Sequence, residues 1–332
     1  MRRHIQTIVA ALLALATLGA ATACSSDDAS QQTADGLTKV NMVMEWPVAD
    51  AFWIPFLVAK DKGFYREGGI DLTITPPPTV ADTMKILGTS QADVAFTTTL
   101  DVLFARDQEA PVIATGSYGG SNNWGLIAKA PFDLGQIKGK TVGIYNDAWS
   151  KAQLSMMLNS VGLKLSDVQL VTAADDTVPL LLQNKVDVIT GVTNAESSEV
   201  RATGGFDPFF MPARDHGAPN TPIFVVAGNT EWLDKNRDKA RAFMSATIKG
   251  LNDAVTDPTG ALAVYKKLYP SDDMGFVTDA WQTTVKILKE QQPPLVQSDQ
   301  QWEGLLKAAV AQGLVKSTGA PNSYWTNDYL SK

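Results

Sequence analysis

The chain has a single cysteine, Cys24, and only two histidines, His4 and His216, in 332 residues. With one thiol no internal disulfide can form, so packing alone must hold the fold. The same scarcity argues against a transition-metal centre, which generally draws on imidazole or thiolate donors. Glu196 and Glu199 have the i, i+3 spacing of one helix face, but no histidine or further carboxylate joins them in sequence, and no metal is expected. His216, between Asp215 and Gly217, reads as a loop surface residue. A general base would need a nucleophile and an orienting group within reach. There is no Walker-type loop and no G-x-G-x-x-G. The glycine-rich "GSYGGSNNWG" reads as a loop crossing between lobes rather than a phosphate cradle. No cofactor is implied.

Positive charge is also scarce, with 28 basic against 35 acidic residues and a net charge of −7. An acidic chain without a basic stripe is a poor partner for nucleic acid. The one long apolar run, from Ile8 to Leu18, comes after Arg2 and Arg3 and precedes "GAATACSS". It is short for a membrane span, which takes ~20 residues. A basic start, an apolar middle and small residues before a cut site make a secretory signal. Cys24 directly after Ala21-Thr22-Ala23 resembles a bacterial lipobox, in which that cysteine becomes the lipidated first residue. Residues 1–23 are thus expected to be a lipoprotein signal peptide and residues 24–37 a polar tether, so the protein reaches the membrane only through the lipid. Without residues 1–23 the charge is −9, from 26 basic and 35 acidic residues. The remaining chain is long enough for two lobes, since single cores stop growing near ~250–300 residues.

Beyond the tether, strand patterns alternate with helix patterns. "KVNMVMEW", "DLTITPP", "ADVAFTTT" and "PVIATGSYG" read as strands with helices between them, and "KTVGIYN", "VQLVTA" and "VDVITGV" begin the pattern again. Such alternation predicts α/β architecture with mostly parallel sheets covered on both faces. Two series predict two lobes. The apolar runs "NNWGLIAKA" and "TPIFVVAGN" lack helix periodicity and are expected to cross between them, near 124–128 and 222–228. The first lobe is then residues 38–128 plus 223–332, and the second residues 129–222. From Glu231 onward the chain reads as helical, interrupted at Pro270, Pro293 and Pro294. Ligands of open α/β sheets bind beyond the carboxyl ends of the strands, and a cleft between two such lobes can close on a small molecule.

A tryptophan at the first strand's end, Trp46, is succeeded by Ala59, Lys62, Gly63, Phe64, Tyr65, Glu67, Gly69, Ile70, Asp71 and Leu72, in the pattern A-x-x-K-G-F-Y-x-E-x-G-I-D-L. This resembles the periplasmic-type substrate-binding proteins related to the thiamine-pyrimidine precursor family. "ADVAFTTTLDVLFARDQEAPVIATG", "IKGKTVGIY", "NKVDVITGVTNAE" and "YWTNDYL" extend the resemblance over nearly all of the chain beyond the signal. "KGFY" is shared with nitrate-, taurine- and alkanesulfonate-binding relatives. The resemblance implies a two-lobe type II periplasmic binding protein, monomeric and lipid-anchored on the outer face of the bacterial cell membrane, serving an ABC permease and its ATPase. The related pyrimidine-making enzymes carry a histidine after the first tryptophan and a cysteine-rich run. Here that segment is Asp50-Ala51-Phe52-Trp53, so an enzyme is not expected.

Candidate ligand residues sit at strand ends. Trp46 is either a stacking wall for a flat ring or core packing. Asp50 and Phe52 lie close by, and of the adjacent Phe52 and Trp53 one is expected to be core. Thr97 and Thr98 either hydrogen-bond a ligand or cap a helix. Trp124 lies at the lobe crossing. Tyr145, Asn146 and Asp147 end a strand as Trp149 opens the next helix, either receiving a polar substituent or serving as an N-cap. Glu196 matches a glutamate that the pyrimidine-binding relatives carry, and a carboxylate can accept hydrogen bonds from an amino-substituted ring. Aromatic and acidic residues together point to a flat, uncharged or weakly cationic heterocycle, whereas nitrate or a sulfonate calls for Arg or Lys. Lys151 is the nearest basic side chain.

Overall fold

The computed structural model describes residues 32–173, 176–316 and 319–330. The signal peptide and Cys24 lie outside the described residues. Ten strands form in chain order: β1 (Thr38–Val43), β2 (Ile70–Thr75), β3 (Val94–Thr98), β4 (Val112–Tyr118), β5 (Trp124–Ala128), β6 (Thr141–Tyr145), β7 (Gln169–Ala173), β8 (Val188–Val192), β9 (Phe209–Pro212) and β10 (Phe224–Asn229). They build two five-stranded sheets, in the orders β2-β1-β3-β10-β4 and β7-β6-β8-β5-β9.

Each sheet is mixed, where a mostly parallel one is expected from the alternation. β1 is parallel to β2 and β3, but β10 runs antiparallel to both β3 and β4. In the second sheet β6 is parallel to β7 and β8, while β5 is antiparallel to β8 and β9. The reversed strands β5 and β10 are the two apolar runs assigned to the crossings. They are fully buried central strands, which is why they read as continuous apolar segments without alternation. The chain therefore passes between the sheets at residues 119–123 and 213–223, and the second sheet begins at Trp124 rather than after residue 128. β9 carries no strand signal strong enough to be expected from "FFMP".

Local chemistry sets the helix starts. Pro55 occupies the first turn of the helix Ile54–Asp61, where its missing N–H costs nothing. Asp147 opens the helix Ala148–Ser160 by accepting from Ser150 N at 2.6 Å. The helix Arg237–Thr256 lies on Ile54–Asp61 so closely that a Cβ on Gly250 would stand 2.5 Å from Ala59 Cβ and from Pro55 O. The helix Met274–Lys289 packs on the turn Ala51–Trp53 of the first lobe and on the helix Glu196–Gly204 of the second. There Arg201 Nε and Nη2 donate to Asp279 Oδ2 at 3.0 and 2.6 Å. Among the described residues no helix is long and apolar enough to cross a membrane.

Candidate functional site

The carboxyl ends of β1, β3, β6 and β8 and the loops after them carry most of the expected ligand residues, at the position where open α/β sheets bind ligands. On the first-lobe side Trp46 is half-buried, edge-on to Phe224 at 5.3 Å and to Phe96 at 6.4 Å between ring centres. Its indole Nε1 donates to Asp50 Oδ2 at 2.7 Å, and Phe52 N donates to Asp50 Oδ1 at 2.8 Å. Asp50 is thus the cap that starts the turn carrying Phe52 and also the brace that fixes the Trp46 ring.

Phe52, expected in the ligand wall, is core. It is 1% exposed and packs among Phe96, Tyr118 and Phe224, so it backs Trp46 rather than flanking it. Trp53 is buried too, against Tyr269. Adjacent residues on a tight turn point to different sides, and both sides here meet protein. Thr97 is fully buried and donates to Met84 Sδ at 3.4 Å. Thr98 caps the helix Thr99–Asp107, accepting from Asp101 N at 3.1 Å and donating to the Asp101 carboxylate.

On the second-lobe side Tyr145 OH donates to Glu196 Oε1 at 2.9 Å, and Val192 N donates to Glu196 Oε2 at 2.8 Å. The Glu196 carboxylate is held from two sides by groups of its own lobe. Trp124 and Trp149 are buried and meet edge-on at 5.4 Å and 88°. Asn146 is exposed, and its Oδ1 accepts from Lys151 Nζ at 2.9 Å.

Electrostatics shows what the two sides share. Burial pushes Asp50 up from an ordinary 3.8 to about 7 despite the Trp46 and Phe52 bonds that oppose the rise, and Glu196 of the other lobe adds to it. Burial likewise raises Glu196. Three further acids join them: Glu45 and Asp101, which the sequence did not single out, and Glu199, weighed there only as a metal ligand. Glu45, 2% exposed, is raised well above the carboxylate range by burial, then by Asp101 and by Asp147 of the second lobe. Asp101 is pushed up to about 6, chiefly by burial. Glu199 is raised by burial and by its neighbours Asp176 and Glu196. Asp147 is also raised by burial, opposed mainly by the Ser150 bond and in part by Lys151. The signal for Glu45 was present in "MVMEW": an acid inside an apolar strand end is costly to bury unless it has a task.

Acids of the two lobes thus lie within electrostatic reach of one another, Asp50 of Glu196 and Glu45 of Asp147, beside the edge-packed cluster of Trp46, Phe96 and Phe224. The two-sheet architecture is the periplasmic binding protein fold, shared for instance with the periplasmic aliphatic sulphonate binding protein SsuA from Escherichia coli, with a TM-score of 0.67 at 15% identity over 88% of this chain and 98% of that one. The chain belongs to the NMT1/THI5-like family, whose model matches residues 51–261. Among curated relatives, the formylaminopyrimidine-binding protein of Halalkalibacterium halodurans is 24% identical over 287 residues, 85% of each chain. The 4-amino-5-hydroxymethyl-2-methylpyrimidine phosphate synthase THI11 of Saccharomyces cerevisiae is 24% identical over 250 residues, 70% of this chain and 72% of that one.

Proposed function

We propose that the protein is the extracytoplasmic substrate-binding component of an ABC importer that captures a small, flat, amino-substituted heterocycle, such as a thiamine pyrimidine precursor, between its lobes. The observation that carries this reading is the Glu196 carboxylate, immobilised by Tyr145 and Val192 N and set across the cleft from the Trp46–Asp50 unit. A ring amino group can donate to such a carboxylate while its face lies against Trp46. The name of the Halalkalibacterium relative supports a pyrimidine ligand.

An anion such as a sulfonate is disfavoured, because Glu45, Asp50, Asp101, Asp147 and Glu196 would oppose its charge in a desolvated space. A pyrimidine synthase is disfavoured because the segment after Trp46 has no histidine and the chain has no cysteine-rich run. In this reading the protein is a monomer tethered outside the cell membrane through a lipid on Cys24, and it delivers its ligand to a permease with an attached ATPase.

Titration calorimetry with 4-amino-5-hydroxymethyl-2-methylpyrimidine and with taurine tests the proposal. The pyrimidine should bind saturably and taurine should not. Glu196→Gln should weaken the pyrimidine by about tenfold, the scale of replacing a charge-assisted bond by a neutral one. Binding of taurine in place of the pyrimidine would overturn the reading.

A further inference from the structure

We propose that the cleft holds a second, cation-selective subsite, in which Glu45 with Asp101 and the second lobe's Asp147 receives a protonated amine carried by the ligand. This inference rests on the pyrimidine reading of the same cleft and narrows it: the ligand is a cationic aminopyrimidine and carries no phosphate.

Glu45 is the central observation. It lies just past the end of β1, its side chain is almost completely covered, and its Oε2 has no hydrogen-bond partner in the protein. A buried carboxylate oxygen left without a donor is costly, and the charge it carries is met by no cation in the surrounding fold. The groups that face it are Asp101 from the helix Thr99–Asp107, Asp147 from the start of the helix Ala148–Ser160, and the Thr97 hydroxyl from β3. Two are acids and one is a neutral hydroxyl, so the protein supplies no countercharge at this corner. Lys151 bears on Asp147, but its Nζ already donates to Asn146 Oδ1. In the helix that Asp147 starts, the Trp149 indole Nε1 is also buried without an acceptor.

Three carboxylates from two lobes can be reconciled with burial by a proton, a metal ion or an ammonium group. Among the described residues no three His, Cys, Asp or Glu side chains are placed to hold a metal ion. A proton fits the empty cleft, since burial raises Glu45 well above the usual carboxylate range and Asp101 to about 6. An ammonium group fits the filled one, because its three N–H donors match a carboxylate from each lobe and draw the lobes together. The exchange balances: the ligand's R–NH₃⁺ enters, Glu45 passes from COOH to COO⁻, and its proton leaves to solvent. A phosphate or sulfonate has no place here, and a neutral hydroxymethyl group leaves the Glu45 proton where it is.

The test is calorimetry at pH 7 in two buffers of different ionisation enthalpy, with 4-amino-5-aminomethyl-2-methylpyrimidine and its hydroxymethyl counterpart as probes. The aminomethyl compound should bind at least about tenfold tighter, the scale of one added charge-assisted bond, and should release close to one proton, while the hydroxymethyl compound releases none. Glu45→Gln, which keeps the shape and removes the charge, should abolish both the preference and the proton release. Should that variant fail to fold, the wild-type proton count alone decides. Equal binding of the two probes without proton release would overturn the subsite and leave the ring site standing. Binding of neither would overturn the pyrimidine reading with it.

Discussion

The empty protein should become more stable as it is acidified from pH 7.5 to 5, the reverse of the usual acid response. Asp50 and Asp101 have folded-state values near 7 and 6 against an ordinary 3.8. Over the interval between those values the folded protein holds protons that the unfolded chain has released. Stability therefore falls as pH rises through the window and is regained as pH drops. Each pH unit of such a window is worth ~1.4 kcal/mol per group. Between pH 5 and 7.5 that gives about two units for Asp50 and one for Asp101, ~4 kcal/mol from this pair before screening, with the raised Glu45 and Glu199 acting in the same direction. Both side chains are half-buried and belong to one interacting set, so about half that figure, ~2 kcal/mol, is expected. In thermal unfolding it corresponds to a Tm higher by roughly 4 °C at pH 5. Asp167, Asp187 and Asp279 are held low by hydrogen bonds and ion pairs, and their contribution is lost only below about pH 4, outside the window. Asp50→Asn keeps one of the two accepted bonds, removes that titration, and should reduce the pH dependence measurably. A wild-type Tm that is flat or falls between pH 7.5 and 5, measured by circular dichroism without ligand, would refute the desolvated-acid account of the cleft.

Phe52→Ala should destabilise the fold by about 3–4 kcal/mol in chemical denaturation, as a large core truncation does, because Phe52 is enclosed by Phe96, Tyr118 and Phe224. A near-neutral effect on stability would return Phe52 to the ligand wall. Cys24→Ser should move the protein from the detergent to the aqueous phase in partition assays, and a variant still held in membranes would end the lipoprotein proposal.

The strands were legible where burial leaves a simple trace. β3 and β8 are buried throughout and carry only apolar residues, Gly and Thr, and Lys39 and Asn41 alternate with buried Val40 and Met42 in β1. The membership of β5 was not legible, because a continuous apolar run records that a strand is interior to a sheet but not which sheet it belongs to. That information lies in pairing across more than 60 residues, such as Trp124 with Val192. The positions of Trp46, Tyr145 and Glu196 at or just beyond strand ends were legible from the sequence. The burial of Phe52 was not, because position near a strand end says nothing about which way a ring turns. Glu45 and Asp101 were passed over because a single acid is unremarkable in sequence, and their weight comes from being buried together.

The acids that face each other across the cleft give the empty protein a spring. Asp50 opposes Glu196 and Glu45 opposes Asp147, so shutting the lobes on nothing either sets negative charge against negative charge or takes up protons to cancel it. As pH rises and those protons leave, the vacant form is wedged ajar by its own walls, and a cation of the right shape acts as the pin that lets them meet. A permease that docks only with shut lobes would then ignore idle carriers without needing any separate sensor. Once docking prises the lobes apart and water returns, the attraction that held the cargo weakens, and the wedge resets by itself.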